Sequence, residues 1–281
     1  KVESELLEQE EAVKKDEPGE SGSPALAASA PRPGFKHLDW DVSEAVREEL
    51  HSLRGEFAAK ADGIELACGN FPAFGREGLK SLRTSPDAFL QIAFQAAQYA
   101  VFGRLRSCYE AVSMRGYAEG RTECARSSTA SALAFAKGMQ QGEAPGQMGE
   151  LYRMAERSHL NRLVSCQRGR GIERYIYGLQ YIFEQHGPEL GLNEPPALFT
   201  DPGWKAIKHD ALSTSGIGIS CVGYFGFGPV VSDGFGIGYA PRKDESNLVV
   251  TCFNNSGLSA QHFLAAFKEA AEKMACILRR D

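Results

Sequence analysis

The sequence lacks any hydrophobic run that approaches the roughly 20 residues of a bilayer-spanning helix, although 43% of its 281 residues are hydrophobic. It also lacks, at its start, the succession of basic, apolar and small residues that is typical of a secretory signal. The sequence therefore indicates neither a transmembrane protein nor a signal peptide.

Paired cysteines are also missing. The seven cysteines are odd in number and widely spaced, and no two of them form a Cys-x-x-Cys motif. This usage predicts a reduced compartment and no structural zinc site.

Excess charge is scarce outside one short stretch. Residues 1–33 hold eight acidic and four basic residues, so they account for −4 of the net charge of −5. The nearly neutral remainder argues against a general nucleic-acid binder, but it leaves room for a local basic patch that binds a small anion.

The same stretch is poor in apolar residues. Residues 1–34 mix proline, glycine, serine and alanine with glutamate, and they cannot bury enough surface to offset ordering entropy. We expect a flexible acidic linker or tail over 1–34 and one folded domain over 35–281.

Apolar spacing and turn residues divide the domain into helices and strands. Ser85-Pro86-Asp87 is a strong helix start, with a hydroxyl N-cap, proline at the first helical position and an acid in the first turn. The predicted elements are a helix over 41–57, an irregular stretch over 61–84, a helix over 85–105, a strand and loop over 106–127, helices over 128–140, 147–165 and 170–187, β-type runs over 210–215, 218–226, 234–240 and 247–253, and an amphipathic helix from Ser259. Helices followed by a sheet and a closing helix predict an α/β domain with a mixed β-sheet packed with helices.

Three polar clusters are candidates for chemistry. Arg76, Lys80 and Arg83 precede Asp87, and such cations either clamp a phosphate or form a solvated loop. The hydroxyls and ionic groups of 109–113 and 119–123 mark either a site or a satisfied polar strand end. In the third cluster, alternation places Ser213 and Ser215 on one face of a strand and Thr214 on the other.

Taken together, these clusters resemble the carnitine/choline acyltransferase family over roughly residues 36–279. Six segments carry the resemblance in the right order: 84–89 (TSPDAF), 109–110 (YE), 120–123 (GRTE), 173–174 (ER), 212–215 (LSTS) and 228–236 (GPVVSDGFG). The match is to the C-terminal half only, because family members are roughly twice this length. The resemblance implies a coenzyme A-dependent acyltransferase fold for 35–281.

In that family an acyl group passes between coenzyme A and the hydroxyl of carnitine or choline. The resemblance implies roles for these residues: coenzyme A binding by Arg76, Lys80, Asp87 and Ser113; carnitine binding by Tyr109, Thr122, Arg174, Ser213, Phe227 and Val230; oxyanion stabilisation by Ser215; and a boundary of the acyl pocket at Phe225. It implies coenzyme A as a co-substrate, no tightly bound cofactor and no metal.

These residue types suit such a substrate. A trimethylammonium group donates no hydrogen bond and favours an aromatic wall, whereas a carboxylate needs a cation and hydroxyls. Arg174 and Thr122 therefore favour carnitine over choline, which has no carboxylate. Two positions depart from the family: Ala111 replaces the usual serine, and Gly216 replaces the polar residue of short-chain members.

Phe225 indicates the acyl length. The resemblance implies glycine at this position in long- and medium-chain enzymes, so Phe225 is expected to block the channel and favour short acyl groups.

The general base is the missing part. The family's base is a histidine of the N-terminal half, and His37 matches its His-x-x-x-Asp spacing but precedes the first helix of the domain. His51, His159, His186, His209 and His262 sit where structural, solvated or coenzyme-adjacent roles are expected. The base is therefore expected in an absent N-terminal half, the partner of this chain, and the chain alone is expected to be inactive.

Two alternatives stay open: a non-catalytic module that binds coenzyme A or acylcarnitine, and a choline acyltransferase. The mitochondrion or the peroxisome is the expected location, although the chain ends without a Ser-Lys-Leu-type address.

Overall fold

The computed structural model describes residues 38–219 and 221–280. The described chain divides into two units at the boundary between Asp62 and Gly63. In the first unit, helix α1 spans Glu44–Asp62 and none of its residues is buried. The helix predicted over 41–57 is thereby confirmed, while the predicted tail over 1–34 lies outside the described residues.

The second unit is built on a mixed sheet of six strands in the order β1-β6-β5-β4-β2-β3. The strands are β1 (Ile64–Phe71), β2 (Cys108–Ser113), β3 (Thr122–Cys124), β4 (Leu212–Gly216), β5 (Phe235–Pro241) and β6 (Ser246–Phe253). Strands β2, β4 and β5 run parallel, and the other neighbours pair antiparallel. The predicted mixed sheet is confirmed.

Eight α-helices of the described second unit surround this sheet. They are α2 (Arg76–Ser81), α3 (Pro86–Phe102), α4 (Ala130–Gln141), α5 (Pro145–Ser165), α6 (Glu173–His186), α7 (Ala197–Thr200), α8 (Pro202–Lys208) and α9 (Ala260–Leu278). Ser85 caps α3 through its side chain, as its sequence context predicts, and Ser259 caps α9 in the same way. None of the helices described here has both the length and the apolar character required to cross a membrane.

Helices α3 and α9 pack together on one face of the sheet and form the core. The ring of Phe94 lies 5.2 Å from that of Phe267, and the ring of Phe235 lies 4.6 Å from that of Phe263. All of these rings are fully buried, and α3 is buried along most of its length. Burial of such side chains contributes about 1.5–3 kcal/mol each, which fixes α3 against the sheet.

The prediction of an irregular stretch over 61–84 is wrong. It contains β1 and α2, and among the described strands β1 lies at an edge of the sheet and pairs with β6 alone. Because an edge strand is half exposed, its sequence holds polar residues such as Glu65 and Asn70 and gives a weak apolar pattern.

The prediction of a strand over 218–226 is also wrong. The described residues of this stretch are irregular and lie over β5 and β6 instead of joining the sheet, with the Thr251 hydroxyl donating to the Phe227 carbonyl at 2.7 Å. Glycine at 218, 223 and 226 lowers the tendency to form a strand, and Asn247 donates to the Gly223 carbonyl at 3.0 Å.

Residues 221–227, which we call the crossing segment, explain the glycines of β5. A Cβ at Gly238 would overlap the carbonyl oxygen of Phe225, a backbone atom that cannot move aside alone. We expect Gly238→Ala to lower the free energy of unfolding by roughly 1–3 kcal/mol, measured by urea denaturation, as overpacking does elsewhere.

Gly178→Ala in α6 is the matched control, because a Cβ there meets nothing within 4 Å. That change should leave stability unchanged or raise it by up to about 1 kcal/mol. Equal stability of Gly238→Ala and the unsubstituted chain would show that the crossing segment does not lie against β5.

Candidate active site

Strand β4 divides its three hydroxyls between the two faces of the sheet. Thr214 is fully buried on the helix side, where Gln91 of α3 donates to its hydroxyl oxygen at 3.0 Å. Ser213 and Ser215 point to the opposite face, as alternation predicts. Within the described part of the chain, neither serine hydroxyl has a hydrogen-bond partner.

Strand register places these serines beside Tyr109. Tyr109 pairs with Ser213 across β2 and β4 and therefore faces the same side. We call the surface formed by Tyr109, Ser213 and Ser215 the hydroxyl face.

The crossing segment borders the hydroxyl face. Ser213 pairs with Gly236, and a Cβ on Gly236 would lie 2.5 Å from the Phe227 carbonyl oxygen. Ser215 pairs with Gly238, which lies directly under the Phe225 carbonyl. Phe227 thus borders the row of Ser213, and Phe225 borders the row of Ser215.

Arg174, the second residue of α6, reaches the same surface. Its guanidinium donates to the Tyr109 hydroxyl oxygen at 3.0 Å and to the Thr122 carbonyl at 3.3 Å. The guanidinium also lies 5.7 Å from the centre of the Tyr109 ring. Arg174 is exposed in this chain, so the arrangement presents a cation beside two unbonded hydroxyls.

The other predicted site residues lie further apart. Thr122 and Ser113 pair across the β2–β3 hairpin, and both are exposed. Val230 is also exposed, three residues beyond Phe227. The predicted base candidate His37 lies outside the described residues.

The predicted coenzyme residues occupy two regions. Arg76 and Lys80 are on α2, where Lys80 pairs with Glu77 at 3.1 Å. Asp87 lies in the first turn of α3, on the helix side of the sheet. Ser113 is on the Tyr109 side of β2, so the structure does not bring it together with Asp87.

Behind the hydroxyl face lies a cluster of three ionisable residues, Asp87, Glu110 and His159, which we call the buried trio. Their nearest polar atoms lie within 4.8 Å of one another. His159 Nε2 is 2.8 Å and 3.1 Å from the two carboxylate oxygens of Glu110, and Ser127 also donates to that carboxylate. The Tyr239 hydroxyl donates to Asp87 Oδ1 at 2.8 Å.

Burial and mutual charge perturb these groups. Burial, and then the negative charge of Glu110, raise the pKa of Asp87 from 3.8 to about 6. Burial alone would lower the pKa of His159, but its hydrogen bond to Glu110 and the charges of Glu110 and Asp87 outweigh burial and raise that pKa. Asp87 and His159 therefore keep their protons at pH values where isolated side chains would lose them.

Carboxylates and imidazole are also metal ligands. Here, however, His159 Nε2, both Glu110 oxygens and Asp87 Oδ1 already engage protein partners. The arrangement fits a hydrogen-bonded proton-sharing group better than a set of free ligands.

The buried trio gives a signed pH dependence of stability. Asp87 binds more protons folded than unfolded, so its contribution to the free energy of unfolding falls as pH rises from about 4 to about 6. The His159 contribution is complete below 6.5 and is lost as pH rises through the raised folded pKa.

Urea unfolding between pH 4 and pH 8 measures this dependence. We expect Asp87→Asn to remove the decline between about pH 4 and pH 6 and to keep the decline above it, because the amide that replaces the carboxyl group has no proton to lose. An unchanged slope below pH 6 would contradict the assignment of the raised pKa to Asp87.

Sequence reasoning did not assign the members of this inner layer other than Asp87. Glu110 stood inside a recognised segment, and its charge between Cys108 and Val112 on a buried strand face was a usable signal. Its partner His159 is 49 positions away, and a single sequence does not reveal that pairing.

A large cavity lies elsewhere. It has a volume of about 1350 Å³, and Arg104, Arg162, Arg170 and Trp204 are among the residues that line it. None of the predicted site residues lines it, so cavity volume and the candidate chemistry point to different places. The hydroxyl face with Arg174 is the candidate site, because it sets a cation beside two unbonded hydroxyls.

Comparison with known proteins agrees with the resemblance. The profile of the choline/carnitine O-acyltransferase family matches residues 4–269. Rat carnitine O-acetyltransferase is 31% identical over 242 residues, covering 86% of this chain and 38% of that protein. Human mitochondrial carnitine O-palmitoyltransferase 2 is 30% identical over 240 residues, covering 84% of this chain and 35% of that protein.

The matched regions show that the chain spans little more than a third of the length of these relatives. With the family profile covering nearly the whole sequence, this chain belongs to the choline/carnitine O-acyltransferase family.

Proposed function

We propose that this chain is the acceptor- and coenzyme-binding part of a carnitine O-acyltransferase that transfers short acyl groups between acyl-coenzyme A and the carnitine hydroxyl. The observation that carries the proposal is the placement of Arg174 against Tyr109, beside the unbonded hydroxyls of Ser213 and Ser215. The mitochondrion or the peroxisome is the proposed location, and some relatives are named as mitochondrial.

Carnitine is a zwitterion with a carboxylate at one end and a trimethylammonium at the other. Arg174 supplies a cation for the carboxylate, and Tyr109 and Thr122 add hydroxyl donors. Phe227 borders the row of Ser213 and, with Val230, supplies apolar surface for the trimethylammonium. Choline would leave Arg174 without an anionic partner, so the acceptor with a carboxylate is favoured.

Ser215 is the proposed oxyanion donor. When the acceptor oxygen attacks the thioester carbonyl, negative charge develops on the carbonyl oxygen, and a pre-aimed donor stabilises it by about 3 kcal/mol in other acyl-transfer enzymes. Collapse of the tetrahedral adduct forms the new ester and releases the coenzyme thiolate, which takes up the proton removed from the acceptor hydroxyl.

That proton needs a general base. Among the described residues, the histidines with hydrogen-bonded side chains pair away from the hydroxyl face: His159 with Glu110, His186 with Glu189 and His209 with Asp233. We propose that the base is a histidine of an N-terminal half that this chain does not contain. General bases contribute typically 10²–10⁴-fold to rate, so the chain alone is proposed to bind without turnover.

The coenzyme is proposed to bind along α2 and the start of α3. Arg76 and Lys80 supply cations for its phosphates, and Asp87 accepts a hydrogen bond from its pantothenate arm. Ser113, on the other face of β2, is proposed to meet the arm near the acceptor.

Calorimetry with coenzyme A and with carnitine, followed by an acetyl-transfer assay, tests the proposal. We expect both ligands to bind and no turnover to occur. Turnover by this chain alone would contradict the proposed absence of the base, and failure to bind carnitine would contradict the proposed acceptor site. A non-catalytic binding module gives the same binding but gains no activity when the N-terminal half of a relative is added.

Phe225 is the proposed limit on acyl length, because it is half-buried and its backbone lies over Gly238, the strand neighbour of Ser215. We expect Phe225→Gly to raise the ratio of octanoylcarnitine to acetylcarnitine affinity by roughly tenfold, since pocket volume changes of this kind are worth about 1–3 kcal/mol. Calorimetric titration of both ligands measures the ratio.

Tyr224→Gly is the matched control. It makes the same backbone change in the same segment, but Tyr224 is exposed. The control should leave the ratio unchanged, and an equal rise in both variants would assign the effect to segment flexibility and remove the role of Phe225.

A further inference from the structure

We propose that Gln91 and Tyr239 are positioning residues, linking Asp87 on the coenzyme side through a buried chain of hydrogen bonds to the strand that presents Ser213 and Ser215. The functional meaning of this link rests on the proposed function. Its existence is a property of the chain without ligands.

The chain of bonds is continuous, and donation runs outward from Gln91 toward both of its ends. The Tyr239 hydroxyl donates to Asp87 Oδ1 at 2.8 Å, and Gln91 Nε2 donates to the Tyr239 oxygen at 3.1 Å. The same Gln91 nitrogen donates to Thr214 Oγ1 at 3.0 Å, and Thr214 donates to the Tyr109 carbonyl at 2.8 Å. Both amide hydrogens of Gln91 and the hydroxyl hydrogens of Tyr239 and Thr214 are each donated once along this path.

The path lies in a dry environment. Gln91 and Thr214 are fully buried, and Tyr239 is 3% exposed. Gln91 Oε1 has no hydrogen-bond partner among the described residues, so the two bonds of its amide nitrogen fix its orientation. Hydrogen bonds in such low-dielectric surroundings polarise one another, and a change at one end alters the others.

The Thr214 end of the path holds the hydroxyl face in place. Thr214 lies between Ser213 and Ser215, and its bond to the Tyr109 carbonyl ties β4 to β2 in the register that sets those serines beside Tyr109. A displacement of Thr214 therefore moves both serine hydroxyls on the opposite face.

Direct packing reinforces the bonds. A Cβ on Gly216 would lie 2.8–3.0 Å from atoms at the hydroxyl end of the Tyr239 ring. The ring consequently rests on the backbone at the end of β4. A side chain at position 216 would therefore clash with the Tyr239 ring.

The Asp87 end of the path lies among other ionisable groups, whose charges affect its protonation. Asp87 faces Glu110 from β2, His159 from α5 and Tyr239 from β5, and Arg162 of α5 acts on His159. Cys108 lies near Glu110 with its thiol pKa raised by burial, so it stays protonated. An ionised Asp87 accepts a stronger hydrogen bond from the Tyr239 hydroxyl than a protonated Asp87 does. Protonation or ligand binding at Asp87 therefore changes the strength of the hydrogen bonds that Gln91 donates to Tyr239 and Thr214.

A pH titration of the ligand-free, isotope-labelled chain by NMR tests the link. We expect the amide shifts of Thr214 and Ser215 to follow the titration of the Asp87 carboxyl carbon, with the same midpoint. In Gln91→Met, the Asp87 titration should persist, while the amplitude of the pH-dependent change in the Thr214 and Ser215 amide shifts falls at least threefold. In Tyr239→Phe, the amplitude should fall likewise, and the Asp87 midpoint should rise because a stabilising donor is lost.

Gln95→Met is the matched control. Gln95 is equally buried one turn along α3, but its partners Gln98, Ser128 and Cys108 lie off the path. It should leave the amplitude at Thr214 and Ser215 intact. Should Gln91→Met fail to fold, Thr214→Val cuts the same path with little change in volume and should abolish the response at Ser215.

The proposal is overturned if the pH-dependent amide shift changes of Thr214 and Ser215 keep their full size in folded variants that interrupt the path. An electric field acting through space would then explain the coupling. An equal loss in Gln95→Met would overturn it too. The experiment uses neither coenzyme A nor carnitine, so its outcome is independent of whether the proposed ligands bind.

Discussion

Glu110→Leu is expected to lower the free energy of unfolding by roughly 3–5 kcal/mol, the range observed when one partner of a buried ion pair is removed. The leucine would leave His159 Nε2, which is 2.8 Å from Glu110, and the Ser127 hydroxyl without their acceptor. Glu110 and His159 are each no more than 3% exposed, so water cannot replace the lost partner. Urea denaturation at pH 6 measures the loss.

The double variant Glu110→Leu/His159→Leu separates pairing from packing. Replacing both members of a buried ion pair by apolar residues is often close to neutral, so the double variant should recover most of the lost stability. If it is as unstable as Glu110→Leu alone, the cost arises from packing and the pairing of Glu110 with His159 is unimportant.

Arg174→Asn is expected to weaken carnitine binding by roughly 10- to 100-fold, as loss of a charge-assisted hydrogen bond does. Coenzyme A affinity should change by less than about twofold, because Arg174 contacts Tyr109 and Thr122 and lies away from the α2 cations. Calorimetric titration of each ligand separately gives both numbers.

Arg168→Asn is the matched control for this change. Arg168 is another exposed arginine that precedes α6, and its loss changes the net charge equally. The control should affect neither ligand. Equal weakening of carnitine and coenzyme A in Arg174→Asn would show that Arg174 acts through folding or general charge.

Local signals predicted the elements that depend on local chemistry. The Ser85 and Ser259 caps lie within one turn of the amides that they cap, and the pattern of α9 follows from apolar residues at helical spacing. The edge strand β1 and the crossing segment near Phe225 escaped prediction, because their conformations depend on partners far along the chain.

The candidate site also has one part that the sequence predicts and one part that it does not. Alternation along β4 predicts the separation of Thr214 from its neighbouring serines, and the family resemblance selects residues for the hydroxyl face. The layer behind that face joins Asp87 to Tyr239 across 152 positions and Gln91 to Thr214 across 123. Nothing in the local pattern of a single sequence encodes such contacts.

Chemical-shift mapping of L-carnitine on the labelled chain tests the central claim most directly. The account predicts saturable shifts at Tyr109, Arg174, Ser213 and Ser215, with choline producing much smaller shifts at the same positions. Shifts confined to the cavity near Arg104 and Trp204, with the hydroxyl face unmoved at saturation, would contradict it.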